Sequence, residues 1–118
     1  MTVEPHTAMR DGLAALISGA ADMELVGTAS ATGEALRLLA VFRPDLLIVD
    51  AEVFRNGNSN FIQEVRAALQ GAQVVALVSY EWDDAARTAL DSGASAFLPK
   101  DQIGDQLLPL IRQIFRVH

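Results

Sequence analysis

Two unbroken apolar runs, "LLIV" at residues 46–49 and "VVALV" at residues 74–78, constrain the fold more than any other feature of this sequence. A strand with one solvated face alternates apolar and polar residues, whereas a strand covered on both faces is apolar throughout. Strands of the second kind are typical of parallel sheets, because the crossover connections place helices on both faces. The two runs therefore predict an α/β domain.

The segments around these runs alternate between helix and strand patterns. Residues 8–19 carry the apolar stripe of an amphipathic helix, and "MELVGTAS" predicts a short strand near residues 24–28. A further helix is predicted at 32–42, before Pro44. The alternation continues with helices predicted at 60–69, 82–92 and 103–116 and a last strand at 96–99. This order predicts a doubly wound parallel sheet in one domain spanning 1–118.

Composition removes several classes of function. The sequence has no cysteine and only two histidines, His6 and His118, which excludes disulfides, thiol catalysis and a histidine-rich metal site. The net charge of −6 argues against direct binding of nucleic acid or an anionic membrane surface by this domain. No apolar run approaches the roughly 20 residues of a membrane-spanning helix, and no signal-peptide pattern is visible. We therefore expect a cytoplasmic protein.

Three polar residues follow predicted strands at the edge where open parallel sheets carry their functional crevice. Asp50 ends "LLIVD", Ser79 follows "VVALV", and Lys100 follows "AFLP". A carboxylate can attack a phosphoryl group, an ammonium can neutralise its oxygens, and a hydroxyl can donate to one of them. The set predicts a phosphate-handling site. A turn aspartate, a helix-capping serine and an exposed lysine are the ordinary alternatives.

These residues lie in strings that resemble a known family. "RPDLLIVD", the strand-end Ser79 and "DSGASAFLPKD" are similar to the receiver domain of bacterial two-component response regulators. The segment "MRDGLAALISGAADMELVGTASATGEALRLL" resembles receivers that are usually fused to a LuxR-type helix-turn-helix output domain. The resemblance covers nearly the whole chain. It implies a flavodoxin-like five-stranded sheet in the order 2-1-3-4-5, with a very short or altered first strand because only three residues precede Glu4.

The resemblance also implies a role for each strand-end residue. Asp50 would accept a phosphoryl group from a histidine kinase, and Lys100 would pair with the phosphate. Ser79 would move toward the phosphoryl oxygens together with Phe97, the aromatic switch residue. The domain would then be a signalling module of a transcriptional regulator rather than an enzyme. Its DNA-binding output domain is expected outside this chain.

Mg²⁺ is the cofactor that the resemblance implies, held by Asp50, the backbone carbonyl of Glu52 and an acidic pair after the first strand. This sequence has Glu4 followed by Pro5 at the acidic pair, and proline has no side-chain oxygen. We therefore expect a weakened metal site, with Glu4 as a weak ligand and a solvated terminal acid as the alternative. The carboxylate of Glu52 could replace the charge lost at Pro5, occupy the phosphate site, or remain a surface acid.

Two further departures from the family pattern leave the function open. The loop "AEVFRNGNSNF" replaces the usual residues after Asp50, and Tyr80 stands where the family has a small residue. One reading is a phosphorylatable receiver, and the other is a degenerate receiver that acts by protein binding or dimerisation. A hydrolase of the haloacid-dehalogenase type also uses a strand-end aspartate, with an acid at the offset of Glu52. The chain has no room for the cap of that family.

The last predicted helix suggests a partner surface. Leu108 and Phe115 lie off its main apolar stripe, so they either widen the core face or form an exposed strip. Receivers commonly dimerise through this helix and its neighbours, so we expect a homodimer. The interface candidates are Leu108, Phe115 and Trp82.

Overall fold

The computed structural model describes residues 1–54, 60–79, 84–91 and 93–116. Its strands are β1 (Thr2–Val3), β2 (Thr28–Ala29), β3 (Leu46–Asp50), β4 (Gln73–Val78) and β5 (Ala96–Pro99). Its helices are α1 (Thr7–Ser18), α2 (Thr32–Phe42), α3 (Phe61–Ala68), α4 (Asp84–Asp91) and α5 (Ile103–Arg116). Short 3₁₀ turns follow β3 at Ala51–Phe54 and β5 at Lys100–Gln102.

The five strands form one parallel sheet in the order β2-β1-β3-β4-β5, which confirms the predicted doubly wound architecture. The central pair, β3 and β4, is in register from Leu46 opposite Gln73 to Asp50 opposite Leu77. Each strand-to-strand connection contains a helix, as parallel pairing requires. The sheet therefore collects the carboxyl ends of all five strands along one edge.

Strand β1 is only two residues long, yet it lies between β2 and β3 in the sheet. Residues on either side extend its hydrogen bonding: the Ile48 amide donates to the Met1 carbonyl at 2.9 Å, and the Glu4 amide donates to the Ala29 carbonyl at 2.9 Å. The predicted very short first strand is confirmed. The flanking bonds satisfy buried backbone groups that a two-residue strand would otherwise leave unpaired.

The prediction of a strand near 24–28 is wrong in position, because β2 comprises Thr28–Ala29. Strand pairing explains the difference. Within the described ranges, β2 pairs with β1 alone: Thr2 lies opposite Thr28, and Val3 lies opposite Ala29. The apolar residues of "MELV" instead pack on the core beside the sheet, with Met23, Leu25 and Val26 partly buried. The segment "MELV" therefore has an apolar pattern but lies outside the described strands.

The alternating residues of the central strands build two cores. Leu47, Val49, Val74, Ala76 and Val78 face one core, which the helices α2 and α3 cover with residues such as Leu39 and Phe61. Ile48, Val75, Leu77 and Leu98 face the other, which α1 and α5 cover with Leu13, Ile17, Leu107 and Ile111. Because both faces are covered, every position of β3 before Asp50 is apolar.

Helix α2 ends with a residue in an unusual backbone conformation. Its C-cap residue Arg43 has φ 45° and ψ 59°, the left-handed region, and donates its amide to the Leu39 carbonyl at 2.9 Å. Glycine is the residue that usually fills this position, because a Cβ atom is strained there. Pro44 follows and prevents the helix from continuing, so the chain turns directly into β3.

Candidate functional site

Four chemistry-bearing residues stand at the carboxyl edge of the sheet. Glu4 follows β1, Asp50 ends β3, Ser79 follows β4 and Lys100 follows β5. Strand register explains why they share one level: Val3 lies opposite Val49, and Val78 lies opposite Pro99. The topology therefore brings the predicted Asp50, Ser79 and Lys100 to the same edge.

Lys100 contacts two buried carboxylates at once. Its Nζ donates to Glu4 Oε1 at 3.0 Å and lies 3.4 Å from Asp50 Oδ2. The side chain of Lys100 is 18% exposed, whereas Glu4 and Asp50 are 0% and 1% exposed. Among the described residues, two buried carboxyl groups thus share one ammonium group.

Glu4 is held by a dense set of contacts. Its Oε2 accepts a hydrogen bond from the His6 amide at 3.1 Å and lies 3.0 Å from His6 Nδ1. The guanidinium of Arg10 donates to the Glu4 carbonyl at 3.0 Å, which fixes the backbone. The alternative of a solvated terminal acid is therefore wrong. Glu4 is buried because β1 ends beside β3 and directs it toward Asp50.

The two oxygens of Asp50 differ in their surroundings. Oδ1 accepts a hydrogen bond from the Glu52 amide at 3.2 Å, in the 3₁₀ turn that follows β3. Oδ2 is buried and accepts no hydrogen bond from any residue in the described parts of the chain. Its neighbours are cationic or ionisable groups, Lys100 Nζ at 3.4 Å and His6 Nδ1 at 3.8 Å. When Asp50 is ionised, hydrogen bonds therefore balance the cost of burying its charge only in part.

The electrostatics separate the two acids. Burial, together with the nearby charge of Glu4, raises the pKa of Asp50 above its usual range despite the Glu52 amide and Lys100. Burial also acts on Glu4, but the His6 amide, Lys100 and the His6 ring together hold the pKa of Glu4 below its usual range. The charge of the pair therefore rests on Glu4 first, and Asp50 is the group that a further cation would help to ionise.

The other predicted site residues lie around this centre. Ser79 is exposed and continues from β4 at the level where Lys100 continues from β5. Phe97 lies opposite Ala76 in β5, is partly buried, and packs against the core on the α2–α3 side. Glu52 is partly buried and approaches Asp50 through its backbone amide. Tyr80 lies outside the described residues.

The interface candidates differ in their surroundings. Leu108 is partly buried and packs against the core between α1 and α5, whereas Phe115 is 38% exposed near the end of α5. Trp82 lies outside the described residues. Phe115 also lines a cavity of about 540 Å³ at the amino-terminal edge of the sheet, with Met1, Leu46 and Phe42 among its walls. That cavity is at the opposite edge from Asp50 and contains none of the strand-end residues.

His6 is the residue of the site that the sequence reasoning missed. It precedes α1, with an extended backbone at φ −86° and ψ 121°, and its ring returns to Glu4. The presence of only two histidines in the sequence argues against a histidine-rich metal site, but it does not exclude a single imidazole beside two carboxylates. The signal that could have found it is the offset of two residues after Glu4 across Pro5, where a bend brings the next side chain back to the acid.

Comparisons with known proteins agree with this architecture. Residues 1–112 match the family model of the response regulator receiver domain. The nitrate/nitrite response regulator protein NarL of Escherichia coli K12 is 32% identical over 114 residues, covering 96% of this chain and 52% of NarL. The DNA-binding transcriptional activator DevR/DosR of Mycobacterium tuberculosis is 25% identical over 112 residues, covering 95% of this chain and 52% of that protein. The chain spans about half the length of the curated relatives it matches.

A solved structure shows the same fold. The two-component response regulator of the LuxR family from Aurantimonas sp. SI85-9A1 superimposes with a TM-score of 0.86 at 25% identity, covering 98% of this chain and 83% of that one. Within the described parts of the chain, none of the helices has the length and apolar character needed to cross a membrane. The match over residues 1–112, the sheet order and the strand-end acid together show that this chain belongs to the family of response regulator receiver domains of two-component systems.

Proposed function

We propose that this chain accepts a phosphoryl group from a histidine kinase at Asp50 and passes the signal to an output domain. The observation that carries the proposal is the position of Asp50, buried at a strand end with the Lys100 ammonium 3.4 Å from its carboxylate. Phosphorylation and kinase signalling are general to the family to which the chain belongs.

The step itself is a phosphoryl transfer between two side chains. A carboxylate oxygen of Asp50 attacks the phosphorus of a phosphohistidine, the new O–P bond forms, and the N–P bond breaks. The imidazole of the kinase leaves with the electron pair of that bond. Lys100 neutralises charge on the phosphoryl oxygens, and the Ser79 hydroxyl donates to one of them. Phe97, partly buried beside Ala76, turns further inward as Ser79 moves.

Receiver domains generally bind Mg²⁺ at an acidic pocket, and two buried carboxylates with an unsatisfied oxygen fit a divalent cation. Glu4 and Asp50 would hold it, together with the backbone carbonyl of Glu52. When bound, the cation supplies positive charge against the repulsion between carboxylate and phosphoryl group. Pro5 removes one acidic ligand, so Mg²⁺ affinity is lower than a second carboxylate would give.

The output is proposed from the relatives. DevR/DosR is a DNA-binding transcriptional activator about twice as long as the matched region. We propose that the natural protein likewise carries a DNA-binding domain, so that residues 1–118 form one receiver domain of a transcriptional regulator. A homodimer through α5, with the exposed Phe115 in its interface, would carry the change of state.

Intact-mass measurement tests the phosphoryl transfer. Incubation with an acyl phosphate and Mg²⁺ should add the mass of one phosphoryl group, which hydroxylamine should remove as expected for an acyl phosphate. Asp50→Asn should remain unmodified, and Asp11→Asn, an exposed acid in α1, should be modified like the wild type. Absence of added mass, or mass that persists in Asp50→Asn, would refute the proposal.

A second candidate is a phosphorylation-independent receiver that acts as a dimerisation or protein-binding module. The closer contact of Lys100 with Glu4, at 3.0 Å, favours it, because the ammonium is already engaged. Sedimentation of wild type and Asp50→Asn with and without the phosphodonor separates the two candidates. A monomer–dimer equilibrium that responds to the donor only in the wild type supports the first, and one equilibrium common to all samples supports the second.

A further inference from the structure

The carboxyl edge of the sheet holds a mixed nitrogen and oxygen cluster. Glu4, His6 and Asp50 each offer one ligand atom, and these atoms lie within 4.8 Å of one another. His6 Nδ1 is 3.0 Å from Glu4 Oε2 and 3.8 Å from Asp50 Oδ2. Ligands bound at about 2.0–2.2 Å to one ion are roughly 3.0–3.6 Å apart. The three atoms therefore need only a small movement to converge on one ion.

An independent observation shows that one carboxylate oxygen of the cluster lacks a hydrogen-bond donor among the described residues. Asp50 is 1% exposed, and its Oδ2 accepts no hydrogen bond from the described residues. Lys100 is shared between Asp50 and Glu4 and is nearer to Glu4. A buried carboxylate oxygen without a donor is costly unless it coordinates a cation or becomes protonated.

We propose that Glu4, His6 and Asp50 bind a late first-row divalent cation such as Co²⁺ or Zn²⁺, with the His6 imidazole as the ligand that selects it over Mg²⁺. Mg²⁺ takes oxygen ligands, whereas imidazole suits Zn²⁺ and its neighbours in the first row. The inference deepens the proposed function, since it concerns the metal of the same site.

The backbone of His6 is already held in a position from which its ring can bind an ion. Its amide donates to Glu4 Oε2, and its own carbonyl accepts the Arg10 amide at 2.9 Å in the first turn of α1. The backbone on both sides of the ring is thus fixed. The side chain is 68% exposed, so Nε2 can carry the proton in solvent while Nδ1 binds the ion.

The two oxygens of Glu4 have different partners, so one can bind the cation while the other keeps its contact with Lys100. Oε1 accepts the Lys100 ammonium, and Oε2 faces His6. Nδ1 and Oε2 lie 3.0 Å apart, so one ion can bind both atoms while the Lys100 contact with Oε1 stays. Binding therefore does not require the buried lysine to move away from Glu4.

Direct titration tests the proposal without any phosphodonor, so its failure is distinguishable from a failure of phosphoryl transfer. Tag-free protein is titrated with Co²⁺, Zn²⁺ and Mg²⁺ by calorimetry, and Co²⁺ binding is also followed by its visible absorption. His6→Ala should weaken Co²⁺ and Zn²⁺ binding at least about tenfold and leave Mg²⁺ affinity nearly unchanged. His118→Ala, the other histidine of the sequence, is the matched control and should bind like the wild type.

Asp50→Asn provides the second variant and should abolish saturable binding of all three ions. Circular dichroism and the unfolding midpoint establish that each variant is folded. Equal loss of Mg²⁺ and Co²⁺ affinity in His6→Ala, an unchanged Co²⁺ affinity in that variant, or a loss in His118→Ala would each overturn the proposal. So would an absence of saturable Co²⁺ binding by the wild type.

Discussion

Replacement of Asp50 by asparagine should stabilise the metal-free protein at neutral pH. Asp50 is buried, and its Oδ2 accepts no hydrogen bond from the described residues. Asparagine has the same shape, keeps an oxygen for the Glu52 amide, and removes one of two neighbouring negative charges. It loses the attraction of Lys100, but that ammonium keeps Glu4 as its partner at 3.0 Å.

The expected gain in unfolding free energy follows from these two opposed changes. A buried polar group left without a partner costs about 1–3 kcal/mol, and more when charged. The lost contact with Lys100 at 3.4 Å offsets part of this. We therefore expect Asp50→Asn to gain about 1–2 kcal/mol at pH 7. For a domain of this size that corresponds to roughly 3–6 °C in Tm per kcal/mol.

The gain should depend on pH with a definite sign. The pKa of Asp50 is raised above its ordinary value of 3.8, through burial first and Glu4 second. A group with a raised folded-state pKa stabilises the fold fully below its unfolded pKa and loses that contribution as pH rises through the folded pKa. The wild type therefore recovers stability on acidification, and the advantage of Asp50→Asn should shrink as the pH falls from neutral toward 3.8, the ordinary pKa of the group.

Urea denaturation with a chelator present measures the difference across this pH range. Asp11→Asn is the matched control, because that exposed acid should change stability by less than about 0.5 kcal/mol. Adding Mg²⁺ should stabilise the wild type and not Asp50→Asn, so the two should converge. An Asp50→Asn protein less stable than the wild type at pH 7, or a gain that does not vary with pH, would refute the electrostatic reasoning.

Three further perturbations test the packing, a backbone strain and a surface ion pair. Phe61→Ala should lower the unfolding free energy by about 3–5 kcal/mol in urea, because the ring is 1% exposed in the core under α3; a loss below about 1 kcal/mol would contradict this packing. Arg43→Gly should raise the unfolding free energy, measured in urea, by about 0.5–1 kcal/mol, because φ is 45° at this position. Arg43→Ala keeps the strained backbone and should give no such gain. Arg112→Ala should raise the pKa of Asp22 toward its ordinary value in an NMR titration, because Arg112 donates to both carboxylate oxygens at 2.8 and 3.0 Å and lowers that pKa; an unchanged Asp22 pKa would contradict the pair.

The elements that the sequence predicted well are those that the physics determines locally. Strands β3 and β4 have helices on both faces, so the buried positions Leu47–Val49 and Val74–Val78 are all apolar, and the apolar run itself is the signal. The position of Asp50 and Lys100 follows from the same rule, since parallel strands end along one edge. Those predictions required no knowledge of side-chain contacts.

The position of β2 and the role of His6 could not be predicted in this way. The position of β2 is determined by its pairing with β1, in which Thr2 lies opposite Thr28 and Val3 opposite Ala29. The residues of "MELV" do not indicate which segment pairs with β1. The approach of His6 to Glu4 depends on the bend at Pro5 and on two contacts to one carboxylate oxygen. Both features arise from tertiary pairing, which residue patterns along a single segment do not encode.

Pro5 changes the charge of the site as well as its ligands. A second acid at that position would give three carboxylates against one ammonium, a net charge of −2 that a divalent cation neutralises. With proline, Glu4 and Asp50 face Lys100 and leave a formal charge of about −1 when both acids are ionised, so charge attracts a hard ion such as Mg²⁺ less. An imidazole adds no charge when neutral, but it adds a nitrogen donor that late first-row ions prefer. If His6 binds the ion as proposed, it would compensate for Pro5 toward those ions and not toward Mg²⁺, and Pro5 would then change the metal preference of the site rather than remove the site.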